Sequence, residues 1–265
     1  MINIKKTLFW QFLNLLEYEL KDFLITLGNV GKDFARVVKS MLKLKLDKGA
    51  LIEQCSRFSV DSLPITLTIV AMTSIIIAMQ IAPELAKQGA GNYVGSLSAL
   101  VMVRELSAIM SGFAIISMIG SSYASEIASM AVTDQISAMK VLKVDPVEYL
   151  IVPRFLSGVI MMPFVVIVAT FCGLACAAFV SNVTAEITYL NFISSMWHGL
   201  FVKDIFVALL KSSFFGGTIA LISCSCGYST RGGALEVGTS TTKAVVWSFV
   251  AIAVWDYIFA SIFYL

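Results

Sequence analysis

The sequence predicts an all-α integral membrane protein of five transmembrane helices, preceded by N-terminal amphipathic interfacial helices and carrying a short helix on the polar side between spans 2 and 3. Two observations carry most of this. Only 14% of the 265 residues are charged and 58% are hydrophobic, against roughly 25% charged in an ordinary globular domain. The charges that remain collect between five apolar stretches. A third observation orients the chain: fifteen Lys and Arg residues lie up to and including Arg57, in the 126–154 interval or in the Gly-rich turn from residue 231 to Lys243, and two, Lys87 and Lys203, lie in the alternate connections. The positive-inside rule then puts the N-terminus in the cytoplasm, or its organellar equivalent, and the C-terminus on the other side.

Residues 1 to about 28 repeat apolar side chains at Phe9, Phe12, Leu13, Leu16, Leu20, Phe23, Leu24 and Leu27, with Lys5, Lys6, Lys21 and Asp22 elsewhere. This is an amphipathic helix too charged to span, suited to the membrane interface. Gly28 and Gly31 should break it. Lys32, Arg36, Lys39 and Lys43 then recur at helical spacing, a stripe that suits anionic headgroups or a polar face docked on the protein itself. The first span is expected from Ser62 to Ala82, followed by a connection holding Pro83, Glu84 and Lys87. The second is expected from about Tyr93 to Met118, and the third within Phe155 to Val180 with a kink at Pro163. The fourth runs from Ile205 to about Gly227, with Gly216 and Gly217 as a close-packing pair, and the fifth from about Ala244 to Leu265. This divides the chain into interfacial helices over 1–57 and a membrane domain over 58–265. The N-terminus has no short apolar segment ending in a small-residue cleavage site, so no cleaved secretory leader is expected.

Glu126 to Arg154 is the one long polar interval in the hydrophobic region. Thr133 or Asp134 can cap a short helix with Val132, Ile136, Met139 and Lys143 along one side. Asp145 as N-cap, Pro146 at the first helical position and Glu148 beyond start a second helix, which Pro153 should interrupt. Such a helix between two spans suits the grip of a soluble partner. The same composition suits an ordinary interfacial loop.

Four ionisable residues fall inside the spans: Arg104, Glu105, Lys211 and Asp256. At 1.5 Å per residue they lie about 12 to 18 Å along their helices, well within hydrocarbon. A charge there costs from about 2.5 to more than 10 kcal/mol against lipid, so these four should face inward and pair. Glu105 is expected to meet Lys211, with Arg104 nearer an opening and Asp256 bracing the set. A static clasp between helices and a polar patch in a substrate cavity both satisfy that arrangement. Catalysis is not expected. The single His198 and five scattered cysteines make no metal set, and no GxxxxGK[ST] loop is present to bind ATP phosphates. No cofactor and no nucleic-acid partner are expected.

The runs RELSAIM from Arg104, SEIASMAVTDQISAMKVLKVDPVEYLIVPR, and GGALEVGTSTTKAVVWS from Gly232 together resemble the MlaE (YrbE) permease family. The resemblance covers about Ser62 to the C-terminus. It implies the five-span membrane subunit of an ABC transporter that moves phospholipid between membranes, built as a homodimer with two cytoplasmic ATPase subunits and an MCE-domain substrate-binding protein. It further implies that Glu126 to about Leu142 is a coupling helix, with Glu126, Met130, Thr133, Asp134, Gln135 and Met139 facing the ATPase, and Asp145, Pro146, Pro153 and Arg154 shaping its loop. Arg104, Glu105 and Lys211 would line a substrate cavity, supported by Asp256. The bacterial inner membrane, or alternatively the plastid inner envelope, is the implied site. Two departures stand out. Ser107 and Ala108 replace the family's Gly-Pro after REL, so the helix distortion expected there should be missing, and Ser117 to Gly120 replace its GRAG, removing an arginine anchor. An ATP-independent transporter or channel using the buried charges is the alternative.

Overall fold

A computed structural model describes residues 28–40 and 48–264. The amphipathic pattern before Gly28, and Lys43, lie outside the described residues. Among these the chain is helical without strands, and five helices are long and apolar enough to cross a membrane. We number them α1 (28–40), α2 (Lys48–Lys87), α3 (Gly91–Val132), α4 (Gln135–Val141), α5 (Val147–Ala185), α6 (Tyr189–Gly199), α7 (Val202–Tyr228) and α8 (Ala234–Tyr264). The spanning helices are α2, α3, α5, α7 and α8.

Several helices outrun their expected bounds. Gly31 lies inside α1 rather than breaking it and Pro83 lies inside α2, while Gly28 is the first described residue of α1. α3 holds 42 residues, about 63 Å at 1.5 Å per residue, twice a hydrocarbon core of about 30 Å. It therefore carries Glu126 and Met130 as part of its own last turns, beyond the Met118 end expected for the second span. α8 begins at Ala234, ten residues before the start expected for the fifth span. The connection between the third and fourth spans folds as α6 and packs on the start of α3.

Pro153 does not interrupt its helix. Proline has no N–H for the carbonyl four residues back and crowds that carbonyl with its ring. The turn just before it, Val147–Ile151, widens to π geometry, after which the helix runs unbroken through Pro163 to Ala185. Pro64 is accommodated in the same way behind the π turn Arg57–Asp61. α3 has two further π turns with no proline, Met102–Leu106 and Ile116–Gly120. They fall beside the two departures in sequence, so the distortion expected to vanish with Gly-Pro is present without it.

α7 is the most buried of the five, packed by α5, α8 and the latter half of α3, while α2 lies along α5. Small residues set these distances. A Cβ on Gly158 or Gly216 would strike the other's carbonyl oxygen, so α5 and α7 cross backbone to backbone. At the Lys/Arg-rich end a Cβ on Gly227 would stand 2.6 Å from the Ala124 carbonyl oxygen. Tyr123, Ile127, Ile151, Met162, Phe215 and Ile219 fill the core between these contacts.

Candidate functional site

α3, α7 and α8 bring the buried charges together. Lys211 is fully buried, and its Nζ donates to Glu105 Oε2 at 2.6 Å and to the Arg104 carbonyl oxygen at 3.2 Å. It also pairs with Asp256 of α8. The carbonyl it reaches lies in the π turn Met102–Leu106, where the wider turn takes carbonyls off the α-helical ladder. One ammonium thus ties three helices, with both carboxylates expected to surround it.

Arg104 has a partner of its own. Its Nε and Nη2 donate to Asp204 Oδ1 and Oδ2 at 3.0 and 3.2 Å, a two-pronged pair. The Tyr264 ring covers the guanidinium at 4.6 Å. Asp204 precedes the Ile205 start expected for the fourth span. It sits instead in the first turn of α7, where Oδ2 also accepts from the Phe201 N–H at 3.2 Å. The ladder therefore holds two cations and three carboxylates, not a neutral set of four. The signal for Asp204 was its position seven residues before Lys211, two turns along one helical face. Arg104 and Glu105 keep about a third of their side chains exposed, while Lys211 keeps none. Solvent or a ligand would meet the ladder at those two residues.

A second ionic cluster sits at the Lys/Arg-rich end. Glu126 pairs with Arg57 of α2, and its Oε2 accepts from Arg154 Nη2 of α5 at 3.0 Å. Arg57 Nη2 also donates to Ser122 Oγ at 3.1 Å, and Arg154 Nη1 donates to the Leu150 carbonyl at 3.0 Å while lying 5.2 Å from the Tyr123 ring centroid. Glu126 is thus committed to an internal clamp joining α2, α3 and α5. Arg57 was not anticipated, because nothing local ties it to a residue sixty-nine positions away.

Beyond the clamp the chain turns into α4. Asp134 stands at its N-cap position but in left-handed conformation, φ 59°, without a side-chain cap bond. α4 ends in a six-residue hydrogen-bonded closure: Val144 N–H donates to Met139 O and Lys143 N–H to Lys140 O, with Lys143 at φ 59°. Asp145 then caps α5 as expected, its Oδ1 accepting from Val147 N–H at 3.0 Å behind Pro146. Ile136 is buried, and Met130 and Met139 pack half-buried on the core. Thr133, Asp134 and Gln135 are exposed, together with Ser137, Ala138, Val141 and Leu142. The last four lie opposite Ile136 and Met139, so the buried face itself points them out.

Known proteins place this architecture. The family described as Permease MlaE matches residues 51–262. The chain is 35% identical over 230 residues to a probable ABC transporter permease protein, ycf63, of Porphyra purpurea, covering 87% of this chain and 88% of the relative. It is 34% identical over 217 residues to a probable ABC transporter permease protein of Synechocystis, covering 82% of each. The Arabidopsis thaliana protein trigalactosyldiacylglycerol 1, chloroplastic, is 33% identical over 229 residues, 86% of this chain and 65% of the relative. The chain belongs to the MlaE permease family and is a membrane-embedded ABC transporter permease.

Proposed function

We propose that this permease moves phospholipid or a related lipid between membranes, as a homodimer driven by two separate cytoplasmic ATPase subunits and exchanging lipid with an MCE-domain partner. The observation that carries this reading is α4. It presents Thr133 to Gln135 and the exposed Val141 and Leu142 outward while its root is held by the Glu126 clamp and the Asp145 cap. A push on α4 passes into α3 and α5 rather than into a slack loop. α3 leads directly to the π turns and the charge ladder, so a displacement there bears on Arg104 and Glu105. In this reading those two residues, with Lys211 behind them and Asp256 as brace, line a cavity between the two copies and meet an anionic headgroup. The same proposal keeps residues 1–57 as an interfacial region on the permease domain, its last ten residues running straight into α2, in a bacterial inner membrane or a plastid inner envelope.

An ATP-independent transporter is the second reading, favoured by the chain of buried charges from Asp204 to Asp256. Native mass spectrometry of the gently solubilised protein separates them. Two copies with two ATPase subunits and bound phospholipid are expected; a homo-oligomer without an ATPase under several mild detergents would promote the second reading. Asp134→Arg supplies the functional check. Its side chain is exposed and accepts only a long 3.4 Å bond from Ser137, so melting should be nearly unchanged while lipid-stimulated ATPase activity of the complex is lost.

A further inference from the structure

A separate polar cavity of about 440 Å³, lined by Asn92, Ser96, Asn191 and His198, opens at the α3–α6 end of the bundle and carries no net charge pattern. The more informative cavity is at the opposite end. It measures about 420 Å³ and lies where α1, the end of α4, the start of α5 and the end of α7 meet, lined by Arg36, Lys140, Lys143, Asp145 and Tyr228. That volume falls in the range of ligand sites, ~300–1,000 Å³. Three cations face one carboxylate, and Asp145 already spends Oδ1 on the Val147 N–H.

The cations are placed by the fold. Arg36 Nη1 lies 3.6 Å from Asp33, which is fixed to α7 by a 2.7 Å hydrogen bond from Ser225. Lys140 Nζ rests 5.5 Å from the centroid of the Tyr228 ring. Lys143 occupies the left-handed closing position of α4, where glycine is the usual residue because any Cβ is strained there. The chain keeps a cation at a position where the backbone favours a residue without one. Strain of that kind points to a use for the side chain.

We infer that this cavity is a binding site for the phosphate headgroup of an anionic phospholipid in the Lys/Arg-rich leaflet, distinct from the charge ladder. The choice of a lipid over free phosphate rests on the surroundings. Val144, which is exposed, and Pro146 complete the cavity lining beside the Tyr228 ring, so apolar surface for an acyl chain borders the cations. Tyr228 closes the fourth span at the level where aromatic rings meet headgroups. Basic pockets beside spanning helices on the cytoplasmic side suit such headgroups. The inference needs the membrane orientation but not the transport reading, and its test involves no transport.

The test uses the full-length chain with its co-purifying partners in phosphatidylcholine nanodiscs, doped with photoactivatable phosphatidic acid or photoactivatable phosphatidylcholine. The phosphatidic acid probe should label peptides spanning residues 140–146 and Tyr228, and the phosphatidylcholine probe should not. Lys140→Gln with Lys143→Gln should cut that labelling at least about tenfold. Lys143→Gly alone should also cut it while melting no lower than the parent, since glycine relieves the left-handed strain; this separates lost binding from lost folding. Equal labelling by both probes, labelling unchanged in the variants, or no labelling when the partners are bound would overturn the site. Abolition by excess inorganic phosphate would reassign it to a soluble anion and overturn the lipid.

Discussion

The ladder inside the bundle and the clamp at its Lys/Arg-rich end use the same chemistry at different depth. In the ladder a fully buried lysine serves two carboxylates; in the clamp a half-buried glutamate serves two arginines. Each joins three helices. The difference is what surrounds them when a member is lost. Lys211 is fully buried, whereas Arg57 keeps 35% of its side chain exposed, although Arg154 beside it keeps only 7%. The ladder is therefore anchored at its buried centre, and the clamp, through Arg57, is the joint that can yield first.

Removing the centre of each makes that comparison quantitative. Lys211→Met leaves Glu105 and Asp256 facing each other without a cation, and breaking a buried pair costs about 3–5 kcal/mol. A large fall in melting temperature of the detergent-solubilised protein is expected, recovered in large part by adding Glu105→Gln and Asp256→Asn. No recovery would show that the aliphatic packing of Lys211, not its charge, holds the helices. Exchanging Glu105 with Lys211 is a poorer test, because it sets a glutamate beside Asp256 as well as moving the lysine. Glu126→Gln should cost less, about 1–2 kcal/mol, since the amide oxygen can still accept from buried Arg154 and the part-exposed Arg57 is rehydrated and screened. Its loss should show earlier in hydrogen exchange of α4 than in global melting. Glu126→Arg would gather three guanidinium groups and unfold the joint, so it reports on the clamp and not on contact with an ATPase.

The two clusters also differ in how far the sequence reveals them. Arg104, Glu105, Lys211 and Asp256 stand out because each interrupts an apolar run, and the cost of a lone charge in hydrocarbon forces them together. Asp204 was hidden by its place at a span boundary, where a charge needs no explanation. Arg57 was hidden among the many basic residues before the first span. The number and order of the spans were legible from hydropathy, but their ends were not, because a helix that leaves the membrane keeps its hydrogen-bond ladder and only its composition changes. Proline misled at residue 153 for a related reason: a neighbouring turn can widen to absorb it, and sequence does not show which turn will.

Asp33 extends the comparison to a buried carboxylate whose cationic partner, Arg36, is itself largely exposed. It is buried where α1 meets α7, with Ser225 donating at 2.7 Å and Arg36 farther off at 3.6 Å. Burial raises its pKa above the ordinary 3.8, against the opposing pull of Ser225, Arg36 and Lys32. The folded chain then holds this proton more tightly than the unfolded chain does. Its contribution to α1 docking is full below about 3.8 and is lost as pH rises through the raised value. Hydrogen exchange of residues 28–40, followed from about pH 4 to 7 with correction for intrinsic exchange rates, should show protection declining with pH. In Asp33→Asn the amide oxygen can still accept from Ser225 and nothing titrates, so protection should be flat. A slope that persists in the Asn variant would place the titrating group elsewhere, and a flat parent profile would mean that Ser225 and Arg36 together cancel the effect of burial.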